Sequence, residues 1–281
     1  MNLSGKSVIV TGAGRWIGKI IATKCANQGA TVVLLGRTLS ELQEAQDEIG
    51  KFGGRSYERV CDISDERSVK EAVSFALEKC SSLDVLVNNA GVQPPIGPFT
   101  ETDVSAWKKN VEINLFGAIH CTRVVLPEML QRRKGKIINI SGGGSTSPRP
   151  NFTAYAVSKT ALVRFTETLA IELEGLNIDV NAISPGAINT RMLDEVIQAG
   201  ELSGEELAAA SKRKLTGGDN PEAAADLVAF LASDASDGIT GKLISAKWDP
   251  WREKAFQERL RSNKDLATLR RMDDRTYGRM K

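Results

Sequence analysis

Seven short runs that read as strands, most of them rich in apolar and β-branched residues, recur along this chain, each separated from the next by a segment long enough to hold a helix. They are SVIV (Ser7–Val10), TVVLL (Thr31–Leu35), SYERV (Ser56–Val60), DVLV (Asp84–Val87), KIINI (Lys136–Ile140), DVNAI (Asp179–Ile183) and KLISA (Lys242–Ala246). Strands covered on both faces lose the apolar-polar alternation, and helix-length spacers oblige successive strands to run parallel. The pattern therefore predicts an α/β fold, a doubly wound seven-stranded parallel sheet with helices on both faces. Helix breaks are expected at Gly29, Gly53-Gly54 and Gly175. One domain is expected over 1–247, followed by a charged, helical extension over 248–281.

Composition narrows the function classes. With 41% hydrophobic and 26% charged residues over 281 positions, the chain can bury one large core. A formal net charge of only +2 gives no basis for nucleic-acid or membrane-surface binding. No run approaches the roughly 20 apolar residues of a membrane span. The first strand begins at Ser7, which leaves no room for a signal peptide. Cys25, Cys61, Cys80 and Cys121 form no CxxC or Cys/His cluster, so reduced, buried thiols in a reducing compartment are expected. The single histidine, His120, excludes a multi-histidine metal centre; no metal is expected. These features predict a soluble, cytoplasmic protein.

The first chemical signal is TGAGRWIG (Thr11–Gly18), which lies between the first strand and the first helix. Glycine in such a turn lets backbone N–H groups and the helix N-terminus approach a pyrophosphate closely. At the end of the second strand stand Gly36, Arg37 and Thr38, with no acid to accept hydrogen bonds from a ribose 2′-hydroxyl. Arg37 together with Arg15 can instead clamp a 2′-phosphate, which favours NADP(H) over NAD(H).

From this turn onward the chain resembles the short-chain dehydrogenase/reductase superfamily, in its single-domain branch of 3-oxoacyl-carrier-protein-reductase-like members. The resemblance covers residues 1 to about 246, with its motifs in family order, and implies a Rossmann-type fold. It assigns Gly12, Gly14, Arg15, Trp16, Ile17 and Gly18 to the cofactor phosphates. Asp62 and Ile63 of CDIS would contact the adenine, and Asn89, Ala90 and Gly91 of NNAG would run close to the cofactor. Pro185, Gly186, Ile188 and Thr190 of SPGAINT would wrap the nicotinamide and pyrophosphate. Asn114 in VEINLFG matches a helix asparagine that holds a water of the proton relay. In YAVSK, Tyr155 and Lys159 stand at i and i+4 on one helical face. Tyr155 would exchange the proton with the substrate oxygen. Lys159 would bind the nicotinamide ribose, and its ammonium would lower the tyrosine pKa.

Two positions depart from the family. Trp16 stands where the single-domain pattern has glycine, so it either packs away from the turn or crowds the phosphates. The family's catalytic serine, thirteen residues before the tyrosine, falls on Gly142 inside ISGGGSTSPRP. The replacement candidates are Ser141, which has the wrong parity if the strand persists, and Ser145, beyond a triple glycine. Thr146 is a lesser candidate, and the substrate or a water is a further possible donor.

The extension runs past the point where family members commonly finish. From Lys247 to Lys281 it carries eleven Lys/Arg against six Asp/Glu. Phe256/Leu260 and Leu266/Leu269 have helical spacing. The segment is read as a helical cap or subunit-contact arm, or else as a cleft element in which Trp248 and Trp251 wall the substrate. The leading reading is an NADP(H)-dependent oxidoreductase that moves hydride between nicotinamide and a carbonyl/alcohol substrate, phosphorylated or nucleotide-linked ones included. Its alternatives are a cofactor-binding non-redox subunit or regulator, and an epimerase or dehydratase with tightly held cofactor. The family further implies a homodimer or homotetramer.

Overall fold

The computed structural model describes residues 1–273. Seven strands, β1 (Ser7–Thr11), β2 (Thr31–Gly36), β3 (Arg55–Val60), β4 (Val85–Asn88), β5 (Gly135–Ile140), β6 (Ile178–Ser184) and β7 (Leu243–Ser245), form one sheet ordered β3-β2-β1-β4-β5-β6-β7. Every neighbouring pair is parallel. Each lies within two residues of the run that announced it.

Among the described residues ten α-helices connect and follow the strands. The first half holds α1 (Trp16–Asn27), α2 (Leu39–Lys51), α3 (Glu66–Lys79), α4 (Val104–Val111) and α5 (Gly117–Arg132). The second holds α6 (Thr153–Glu172), α7 (Arg191–Gln198), α8 (Glu206–Thr216), α9 (Pro221–Ala232) and α10 (Lys254–Ser262). A π-helical turn, Glu112–Phe116, joins α4 to α5 without a break. The expected glycine stops hold, with Gly29, Gly53 and Gly175 all at positive φ. None of the described helices is long and apolar enough to cross a membrane.

The sheet sorts its side chains between two cores. Val8 and Val10 of β1, with Val32 and Leu34 of β2, pack against α1, α2 and α9. Ile9, Val33 and Leu35 point the other way and pack against α3, α5 and α6. Strand order reverses between β1 and β4, so the loops at their C-terminal ends part and leave a crevice there.

The C-terminal segment departs from expectation. Trp251 is 1% exposed and stacks obliquely on Phe230 of α9, with ring centroids 5.7 Å apart. Phe256 and Leu260 of α10 join the same core. Trp251 thus does not wall the cleft; its indole takes the better-desolvated place under α9. The chain then returns to the sheet. The amide of Leu243 donates to the carbonyl of Ala267 at 2.7 Å, and the buried Lys242 ammonium donates to the carbonyls of Asn263, Lys264 and Leu266. Three carbonyls facing one ammonium require turns rather than a helix, and Ala267 has φ +55°. Leu266 and Leu269 are therefore not helical. The remainder of that expected helix, beyond residue 273, lies outside the described residues.

Candidate active site

A cavity of about 750 Å³ opens at the crevice between β1 and β4, within the usual size of a ligand site. Its phosphate end is built by the first turn. Gly12 has φ +64°, and a Cβ added at Gly18 would land on the Gly12 carbonyl oxygen. NNAG locks the turn from below, because Thr11 Oγ1 accepts from the amides of Asn89 and Ala90, each at 3.0 Å. The Asn89 side-chain amide donates to the Thr11 carbonyl at 2.9 Å. Arg15, at the N-cap of α1, makes no capping bond with its side chain, and the first turn carries no acid. Its free amides and positive dipole end suit an anion, so the residues present fit a dinucleotide pyrophosphate.

Trp16 occupies this turn in a glycine's conformation, with φ +49°. The indole is half-exposed and lines the cavity. Of the two alternatives for Trp16, packing away from the turn is not the one the chain adopts. The backbone forces the left-handed state, at a cost of about 1–2 kcal/mol for a residue with a Cβ.

At the adenosine end, Arg37, Asp62 and Ile63 line the cavity. An unexpected acid joins them. Glu41, from the first turn of α2, lines the same space and holds Arg15 at 2.8 Å. The end of β2 itself offers no acid at Gly36, Arg37 or Thr38, but Glu41, five residues beyond Gly36, is brought back by α2. Burial works to raise the Asp62 carboxyl, but the Ser64 hydroxyl and amide, with the Arg37 and Lys109 charges, hold it below the ordinary range.

The chemical end lies on α6 and the C-terminal end of β5. Tyr155 is 5% exposed and Lys159 3%. The Lys159 ammonium donates to the Ile140 carbonyl at 2.8 Å, and its burial lowers its pKa to about 8. Burial pushes the Tyr155 phenol above the ordinary tyrosine range, opposed by the Arg149 guanidinium. The direction runs against the expected lowering, because desolvation of the phenolate outweighs the Arg149 charge. A Cβ at Gly142 would land on the Tyr155 hydroxyl, so the phenol fills the space that the missing side chain leaves.

The candidate donors separate clearly. β5 ends at Ile140, so strand parity does not decide where Ser141 points. Ser141 lines the cavity, and its Oγ is buried without a hydrogen-bond partner among the described residues. Ser145 is buried but does not line the cavity, and its carbonyl accepts from Thr160. Thr146 is exposed. Pro185, Gly186, Ile188 and Thr190 line the opposite wall, where the Asp219 carboxylate accepts from the amide of Ala187 at 2.7 Å.

Asn114 sits in the π-helical turn, outside the cavity wall. It exchanges two 2.8 Å hydrogen bonds with the backbone of Val92 and donates to Asn110 and Ser158. A Cβ on Gly91 would press on both the Asn114 oxygen and Lys159. Sequence reading missed Asn110, whose amide donates to the carbonyls of Val92, Gln93 and Pro94. It also missed Gln93, Arg149 and Glu206 on the cavity wall. No local pattern marks these residues, since they come from three separate loops or helices. Trp248, by contrast, does line the cavity and is 78% exposed. Among the described residues no group of three or more His, Cys, Asp or Glu side chains is placed to hold a metal ion.

The family model for short chain dehydrogenase matches residues 6–200. The 7alpha-hydroxysteroid dehydrogenase of Escherichia coli is 34% identical over 245 residues, 87% of this chain and 94% of that protein. The 3-oxoacyl-[acyl-carrier-protein] reductase of Thermotoga maritima is 34% identical over 246 residues, covering 87% and 97%. The structure of NAD+-bound xylitol dehydrogenase superposes with a TM-score of 0.81 at 28% identity, covering 87% of this chain and 98% of that one. A variant of actinorhodin polyketide ketoreductase with NADPH gives 0.80 at 29% identity, covering 86% and 95%.

Proposed function

The chain belongs to the short-chain dehydrogenase family of nicotinamide-dependent oxidoreductases, and from that premise we propose that it reduces a carbonyl, or oxidises the matching alcohol, with NADP(H). The observation that carries this reading is one cavity lined both by the glycine turn and by Ser141, Tyr155 and Lys159. Bound nicotinamide supplies the hydride chemistry. Tyr155 holds the proton for the substrate oxygen. Ser141, its hydroxyl otherwise unpartnered, polarises that oxygen in place of the serine missing at Gly142. Lys159 holds its charge between the Ile140 carbonyl and the cofactor ribose, while Asn114 fixes the Val92 loop against the Lys159 side.

Arg191, Arg213 and Lys247 line the same cavity, and Arg213 makes no side-chain ion pair among the described residues. They support a phosphorylated or nucleotide-linked substrate. The four buried free cysteines support a cytoplasmic placement, and the family resemblance a homodimer or homotetramer. The direct test is loss of nicotinamide absorbance at 340 nm on a panel of ketones, aldehydes and nucleotide-linked sugars. An enzyme that binds the cofactor yet turns over none of them would overturn the proposal.

Cofactor choice carries its own prediction. Arg37 lines the adenosine end and makes no ion pair within 4 Å among the described residues, so calorimetry should show NADPH binding at least about tenfold tighter than NADH, some 1.4 kcal/mol. Arg37→Asp should reverse the order. Tighter NADH binding by the native chain would assign Glu41 to the ribose hydroxyls instead.

Trp16→Gly should restore a residue suited to φ +49° and clear the indole from the phosphate turn. An affinity gain of about tenfold for NADPH is expected by calorimetry. Weaker binding after this change would make the indole a cofactor contact.

A further inference from the structure

Arg149 belongs to the segment between β5 and α6, set between Pro148 and Pro150, whose rings restrict the local backbone. Its guanidinium lies 3.8 Å from the ring centre of Phe152 and 5.4 Å from that of Tyr155, closer to the phenol ring than the Lys159 ammonium at 5.8 Å. Glu206, in the first turn of α8, grips it with two parallel bonds of 2.5 and 2.6 Å. Gln93 accepts from its third nitrogen at 3.3 Å. Both members of the pair line the cavity that Tyr155 lines.

We propose that Arg149 is a positioning residue that acts through Tyr155, as the cation that favours the phenolate, with Glu206 as the counter-charge that moderates it. The proposal rests on the reading of Tyr155 as the proton-transfer group. An opposite charge near an ionising group favours its charged form, and the Arg149 guanidinium lies 5.4 Å from the centre of the ring that carries the phenol. Guanidinium forked onto a carboxylate is also held in one orientation, so its charge faces the phenol ring steadily. The other elements packed on Tyr155 offer little competition. α7 contributes Leu193 and Val196 and α8 contributes Ala210 to the same apolar cluster. The charged groups facing this space are Lys159 from α6, Arg149 and Glu206 and, further along the cavity wall, Arg191 and Glu195 of α7, which pair with each other, Arg213 of α8, and Lys247 with Asp219, which also pair. The direction of the phenol's titration agrees, with Arg149 working to lower it and Glu206 to raise it.

The arrangement predicts opposite effects from two neutral substitutions. Tyrosinate absorbance is followed in the full chain at fixed alkaline pH below unfolding, and the signal of Tyr155 is isolated by subtracting that of Tyr155→Phe from the three tyrosines. Arg149→Gln should lower the phenolate population roughly fivefold, and Glu206→Gln should raise it by a similar factor. Arg149→Lys, which keeps the charge, should stay within about twofold of the native chain. A purely structural pair would behave otherwise, because opening it admits water and moves Tyr155 in the same direction in both variants. That outcome, no movement in either, or Arg149→Lys behaving like Arg149→Gln would overturn the proposal. No substrate enters the measurement, so it fails or succeeds separately from the loss of turnover in Tyr155→Phe.

Discussion

Tyr155→Phe is expected to lower turnover by about 10³-fold while leaving fold and cofactor affinity near their native values. Proton transfer by a positioned side chain contributes about 10²–10⁴-fold. The substitution removes only the hydroxyl. The ring that packs with Phe152, Leu193, Val196 and Ala210 remains, so the local core is kept. The Lys159 ammonium keeps its bond to the Ile140 carbonyl and its place on the cavity wall. Steady-state rates on any substrate found in the carbonyl panel, with calorimetry for the cofactor, separate the two effects. Undiminished turnover would remove Tyr155 from the chemistry.

The same assay assigns the second hydroxyl. Ser141→Ala should cost roughly 10²-fold in turnover, the usual price of an oxyanion-type donor. Its Oγ has no partner to lose within the described protein, so stability should hold. Ser145→Ala should leave the rate unchanged, because Ser145 does not line the cavity.

Trp251→Ala is expected to be the most destabilising single change in the C-terminal segment, by about 3–5 kcal/mol. The indole is 1% exposed, packs on Phe230 and belongs to the core shared by β1, α1 and α9. Removing it leaves a void that α9 and α10 cannot both close, since each is tied elsewhere. In a chain of this length the loss corresponds to a fall in Tm of roughly 10 °C. Differential scanning calorimetry should show that fall in a single transition. A Tm within a degree or two of the native value would mean that the segment from Trp251 to Leu260 lies outside the cooperative core.

Much of the architecture was legible because it depends on local pattern. Parallel strands covered on both faces must be almost wholly apolar, and the buried strands β1, β2, β4 and β5 report that requirement directly in SVIV, TVVLL, DVLV and KIINI. The phosphate turn was legible for a related reason. Gly12 and Gly18 are required by backbone geometry, and backbone geometry leaves a signature in sequence that side-chain contacts do not. Tyr155 and Lys159 share a helix face, so their spacing alone brought them together.

What only the folded chain decided are the meetings between residues far apart in sequence. Ser141 lines the cavity and Ser145 does not, because β5 stops at Ile140 and the chain turns within the triple glycine that follows. Gly142 became the space for a phenol thirteen residues away. Glu41 reached the phosphate turn by way of α2, and Arg149 met Glu206 across 57 residues. Trp251, read with Trp248 as a wall of the substrate cleft, found its place under α9 because an indole gains more from full desolvation than from a cleft open to water. Sequence by itself determined where strands, helices and the glycine turn would form, since those follow from period and backbone freedom; which side chains would face one another was settled by tertiary packing, through burial and charge pairing that no single segment contains.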